Sequence, residues 1–98
     1  MKVRYTIPSL ADLDSVLSSI RQQSPGGARR VRLRVWTVID VLSRHPHIGT
    51  RTNDPTIRRM TTLPYPYLIF DETRNAEIII HAVRHAALDP SGMPGAAC

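Results

Sequence analysis

A chain of 98 residues has material for one domain with a modest core and no second module. Hydrophobic residues make up 42% and charged residues 21%, which excludes a disordered chain, and no apolar run is long enough to cross a membrane. The net charge is +5, with twelve arginines and one lysine, so an anionic partner is expected, either nucleic acid or an acidic protein. The single cysteine, Cys98, excludes an internal disulfide and a cysteine metal cluster, and Met1-Lys2-Val3-Arg4 does not read as a secretory signal. A cytoplasmic setting is expected.

Taken in chain order, Lys2 to Thr6 alternates as a short strand that Pro8 stops. Ser9 then suits an N-cap, with Asp12 three residues on as its capping-box acid. Leu10, Leu13, Val16, Leu17 and Ile20 recur at helical spacing and give one apolar stripe. Ser24 and Pro25 open a second helix, predicted from about Gly26 to Arg44, because proline is tolerated at a first helical position. Its buried face is predicted to be Ala28, Val31, Val35, Val38, Ile39 and Leu42, and His45-Pro46 ends it. Two apolar stripes joined by so short a turn make a helical hairpin.

Residues 47–55 read as a polar loop, followed by strands at Ile57–Leu63, Tyr65–Phe70 and Glu77–Arg84, with the last turn at Thr73-Arg74-Asn75. Ile78-Ile79-Ile80 is β-branched on both faces, which predicts an interior strand. The expected fold is α+β, β-α-α-β-β-β, a mainly antiparallel twisted sheet with the hairpin on one face. It spans residues 1–90 as one domain, with a flexible tail over 91–98 rich in Pro, Gly and Ser.

The second helix ends Leu42-Ser43-Arg44-His45-Pro46-His47-Ile48-Gly49. Arg59 precedes Tyr65-Pro66-Tyr67-Leu68-Ile69-Phe70, and the last strand closes Val83-Arg84-His85-Ala86-Ala87-Leu88-Asp89-Pro90. In this order and spacing the motifs resemble the RelE/ParE superfamily, over about Lys2 to Pro90, and lie closer to its ParE-like members. Leu88 departs from the arginine usual at its place. The resemblance implies the toxin of a bacterial type II toxin–antitoxin system, a plasmid-stabilisation function, and an antitoxin from the same operon through which alone operator DNA is bound. RelE-like members of the superfamily cut messenger RNA on the ribosome, whereas ParE-like members poison DNA gyrase.

Metal-free RNA cleavage needs a base, an acid and cations for the phosphorane charge. The nucleases of the superfamily use sheet lysines and a terminal tyrosine or histidine, but here the one lysine is Lys2 and no aromatic residue follows Phe70. A nuclease site would fall to Arg58 or Arg59, Arg84 and His85, with His85 more readily read as a hydrogen-bonding cap of the next turn than as a catalyst. His81 reads as half-buried packing. His45 and His47 lack a second ligand pair, so neither metal nor cofactor is expected. The enzyme reading is therefore the less favoured one, and gyrase the expected target.

A partner surface is expected on the second helix. Leu33, Trp36 and Asp40 fall away from its buried stripe, and Arg29, Arg30, Arg32 and Arg34 crowd its start. Trp36 could instead pack on the chain's own sheet. A basic DNA-binding module is the third reading. It is disfavoured because both helices are long and neither carries Asn, Gln and Arg at groove spacing.

Overall fold

The computed structural model describes residues 1–88, so the tail expected over 91–98 lies outside the described residues. The elements are β1 (Lys2–Tyr5), α1 (Ile7–Gln23), α2 (Pro25–Arg44), β2 (Thr50–Arg51), β3 (Arg58–Thr62), β4 (Tyr65–Arg74), β5 (Glu77–His85) and a closing 3₁₀ turn, Ala86–Leu88. Helix α1 begins earlier than its sequence suggests. Thr6 is the N-cap, its hydroxyl accepting from the Ser9 amide at 3.1 Å, while Ser9 is buried and donates back to the Thr6 carbonyl at 2.7 Å. Pro8 therefore sits in the first turn, where a missing N–H leaves no hydrogen bond unmade, rather than ending a strand. Asp12 is not the acid of a capping box. Its carboxylate accepts from the Val83 amide at 3.2 Å, filling a donor on the β5 edge just past the point where β1 stops.

Ser24 serves both helices. Its N–H donates to the Ile20 carbonyl at 2.7 Å, and its hydroxyl accepts from the Gly27 amide at 3.0 Å, so a single residue closes α1 and opens α2. All six positions expected on the inner face of α2 are buried, from Ala28 and Val31 to Leu42. Five of them, Val31, Val35, Val38, Ile39 and Leu42, pack with Leu17 against Ile69, Ile78 and Ile80, and with the partly buried Val3, Tyr5, Leu13, Ile20, Met60, Tyr65 and Tyr67. Leu10, although on the expected stripe of α1, is exposed.

The sheet runs β1-β5-β4-β3-β2, with β1 parallel to β5 and every other pair antiparallel. Strand β5 is interior, as its three isoleucines require, and none of them is more than 4% exposed. Strand β2 arises inside the segment expected to be loop. Gly49 is buried so close to β3 that an added Cβ would stand 3.1 Å from the Arg59 carbonyl oxygen, and that approach lets Thr50 and Arg51 pair with Arg59 and Arg58. Strand β4 runs past its expected end at Phe70. The turn is Asn75-Ala76 rather than Thr73-Arg74-Asn75, and both turn residues have positive φ, 53° and 60°. This is the backbone that a two-residue hairpin demands.

One irregularity positions the chemistry. Phe70 pairs with Ala82 but Asp71 pairs with Ile80, so His81 is an extra residue in β5. Across this bulge Ile78, Ile80 and Val83 keep to the helix side, the last opposite Ile69, while Ala82 joins Ile57, Leu68 and Phe70 in a second cluster on the other face.

Candidate functional site

Helix α2 presents its outer flank beside β1. At about 100° per residue, Arg29, Arg32, Leu33, Trp36 and Asp40 share that flank, and Arg30 and Arg34 lie further round. All seven are exposed, Leu33 at 56% and Trp36 at 49%. The indole stands edge-on to the Tyr5 ring, 6.1 Å between centroids at 74°, so Trp36 is braced by β1 without entering the core. Burial beneath that contact pushes the Tyr5 phenol up. Asp40 pairs with Arg44 one turn on, at 2.9 Å. Arg29, Arg30, Arg32 and Arg34 make no ion pair or side-chain hydrogen bond among the described residues. A half-exposed indole and a leucine amid unpaired guanidinium groups can bind a chain that carries both apolar and acidic side chains.

The residues considered for RNA cleavage do not converge. Arg59 is opposite Phe70 and Arg84 opposite Leu68, both on the sheet face away from the helices. Arg84 reaches the sheet edge, where its Nε is 3.6 Å from Asp12 Oδ2. His85 is opposite Tyr67, whose ring packs on the helix-side core, and it stands edge-on to that ring at 5.4 Å, in a cleft shared with Ser15, Val16 and Ser19 of α1. Its Nδ1 accepts from the Ala87 amide at 3.1 Å, so it caps the 3₁₀ turn. The sheet thus separates His85 from Arg59 and Arg84.

The structure assembles instead a group that the sequence did not reveal. His81 Nε2 lies 2.7 Å from Glu72 Oε1, while Arg74 donates to the other oxygen of Glu72 from Nε and Nη2 at 3.0 and 2.9 Å. His81 is therefore a hydrogen-bond partner of a carboxylate and not mere packing. Burial raises the Glu72 carboxyl, but the hydrogen bonds from His81 and Arg74 outweigh it and hold the acid below its usual range. The pairing of Glu72 with Ile79 sets His81 beside Glu72, a cross-strand register that the spacing within either strand does not reveal. Next to them Asp71 is fully buried with no hydrogen-bond partner among the described residues. Burial pushes it up to about 6, against the opposing attraction of Arg58. Arg58 faces it across the strands, its guanidinium donating to the His47 and Gly49 carbonyls at 3.3 and 3.1 Å. No cluster of three potential metal ligands occurs among the described residues, and none of their helices is long and apolar enough to cross a membrane.

Known proteins share sequence and fold with this chain. The chain is 36% identical over 86 residues to Toxin RelE2 of Caulobacter vibrioides, covering 88% of this chain and 96% of that one. It is 30% identical over 86 residues to the putative toxin Y4kP of Sinorhizobium fredii, covering 87% and 88%. A solved structure from the chromosomal ParDE system of P. aeruginosa superposes with a TM-score of 0.76 over 87% of this chain and 95% of that one, at 19% identity, which shows a common fold. The family model for the ParE toxin of the type II toxin–antitoxin system parDE matches residues 3–90. The chain belongs to the ParE toxin family of type II toxin–antitoxin systems.

Proposed function

We propose that this toxin acts in the cytosol on a protein target, DNA gyrase, and is held inactive by an antitoxin from its own operon seated on the α2 flank around Leu33 and Trp36. One folded unit over residues 1–90 carries the activity, and operator DNA is met only through the antitoxin. The observation that supports a non-nucleolytic mechanism is the separation of His85 from Arg59 and Arg84 by the sheet. General acid and base must reach the same phosphate, and cations on the opposite face cannot neutralise the charge that develops there. Arginine does not substitute as the base, because its pKa exceeds about 12. The test is induction without antitoxin, followed by mapping of both DNA breaks and message fragments. Gyrase-linked breaks with intact messages are the expected result, and prompt codon-positioned cleavage would refute it.

A second reading, ribosome-dependent message cleavage, has one observation in its favour. His81, held by Glu72, is on the bulged strand that also carries Arg84, with one strand, β4, between it and Arg59. Under that reading His81→Ala abolishes toxicity and message cleavage together, and His85→Ala does not.

A further inference from the structure

The charge of this molecule is concentrated at one end. Between Ile20 and Thr37 there are five arginines, Arg21, Arg29, Arg30, Arg32 and Arg34, and no Asp or Glu. The remainder holds eight basic residues (13 − 5) against all eight acidic ones, so it is neutral, and the closed half of the hairpin carries the entire +5. All five arginines are exposed, and none has an ion-pair partner among the described residues. Elsewhere Arg4, Arg44, Arg74 and Arg84 each face a carboxylate, and Arg58 binds carbonyls.

Three of the five surround a cavity. Arg21 from α1 and Arg29 and Arg32 from α2 line a cleft of about 300 Å³ together with Pro25, Leu17 and Ala28. Leu17 and Ala28 are 8% and 4% exposed, so the cleft has an apolar floor under a rim of guanidinium groups. Like charges are held together there without a carboxylate paired to them among the described residues, and the N-terminal end of α2, which is itself partially positive, adds to the field. A carboxylate entering the cleft would accept planar, paired N–H donors from two helices at once.

We propose that this cleft receives the carboxylates of an acidic segment of the antitoxin, a proposal that rests on the antitoxin reading above. The occupant is a peptide because the exposed Leu33 and Trp36 lie further along the same flank of α2, past Arg29 and Arg32 of the cleft. A phosphate backbone would use the arginines but leave both apolar side chains in water. Pro25 and Trp36 are separated by about 16 Å of helix, which roughly five extended residues span. The segment therefore has apolar anchors at one end, over Trp36, and Asp or Glu about five residues away.

The test uses the toxin–antitoxin complex, captured through a tag on the antitoxin encoded beside the toxin, with dissociation followed at low and high salt. Arg21→Glu and Arg51→Glu change the net charge equally, and Arg51 is exposed on β2, away from the hairpin. Arg21→Glu is expected to speed dissociation about tenfold or more and to flatten its salt dependence, with Arg51→Glu within about twofold of the parent. Both are solvent-exposed, and an unchanged melting temperature shows that folding is intact. Equal effects of the two variants would overturn the proposal. So would loss of binding to a short fluorescent DNA duplex in Arg21→Glu with unchanged antitoxin dissociation, which assigns the cleft to nucleic acid. A parent toxin that forms no complex at all would overturn the antitoxin reading itself.

Discussion

At the scale of single residues, the sharpest tension is Asp71. Its carboxyl is fully buried, lacks a hydrogen bond among the described residues, and is pushed up to about 6 by burial. An acid whose folded pKa lies above its unfolded value binds more protons folded than unfolded between the two, so folding stability falls as pH rises through that window. From about pH 4 to pH 6 this one group costs on the order of 3 kcal/mol, and the loss persists above. Glu72 and Asp54, both held low, act in the opposite direction, so the difference between variant and parent isolates Asp71. Asp71→Asn is expected to be more stable than the parent at pH 7 and equal to or less stable than it near pH 4, measured by urea titration across pH. A pH-independent difference would refute the account. A second residue-scale prediction concerns Ala76, which holds φ at 60° in the β4–β5 turn. A Cβ costs about 1–2 kcal/mol in that region and the added chain entropy of glycine offsets about 0.4–1 kcal/mol of it, so Ala76→Gly is expected to raise stability by up to about 1 kcal/mol. Unchanged or reduced stability would show that the turn relaxes without strain.

At the scale of elements, the hairpin depends on its joint and works through its outer flank. Ser24 closes one helix with its amide and opens the next with its hydroxyl. Ser24→Ala keeps the first contact and loses the second, so the free chain is expected to lose about 1 kcal/mol in denaturant unfolding. Trp36 presents a different balance. Because its ring is half exposed and meets Tyr5 only by an edge, truncation removes little from the folded chain. Trp36→Ala is expected to weaken the antitoxin complex by more than ~1 kcal/mol while lowering the stability of the free chain by less than that. The reverse ordering, measured by titration of the complex and unfolding of the free toxin, would make Trp36 a brace of β1 rather than an anchor.

For the whole molecule, five positive charges at one end, without an ion pair among the described residues, beside exposed Leu33 and Trp36 make a surface that recruits partners of opposite sign and collapses onto wrong ones. The free toxin is expected to accumulate poorly and to become soluble when co-expressed with its antitoxin. The soluble fractions with and without the partner measure this. An equally soluble lone toxin would argue that the flank needs no cover.

Periodicity alone determined the hairpin: helical spacing over Ala28 to Leu42 identified every buried position of α2, because a helix on one face of a sheet buries one stripe whatever lies beneath it. The three isoleucines likewise specified an interior strand, since no exposed edge would bury both faces. Local chemistry was less decisive at the start of α1, where Thr6 and Ser9 are both competent caps and the hydrogen bond from the Thr6 amide to Ile80 selected the earlier one. Only the tertiary structure decided the rest. The parallel pairing of β1 with β5 joins segments about 75 residues apart, and β2 exists because Gly49 lets the chain approach β3. Arg84 and His85, as neighbours in β5, face opposite sides in any register, but the bulge at His81 decides which side each takes, putting Arg84 on the face of Arg59 and His85 on the helix side, a choice that no spacing in the sequence encodes. The arginine cleft needs Arg21 from one helix beside Arg29 and Arg32 from the next, so the composition showed that the charge exists and the packing of the hairpin determined where it converges.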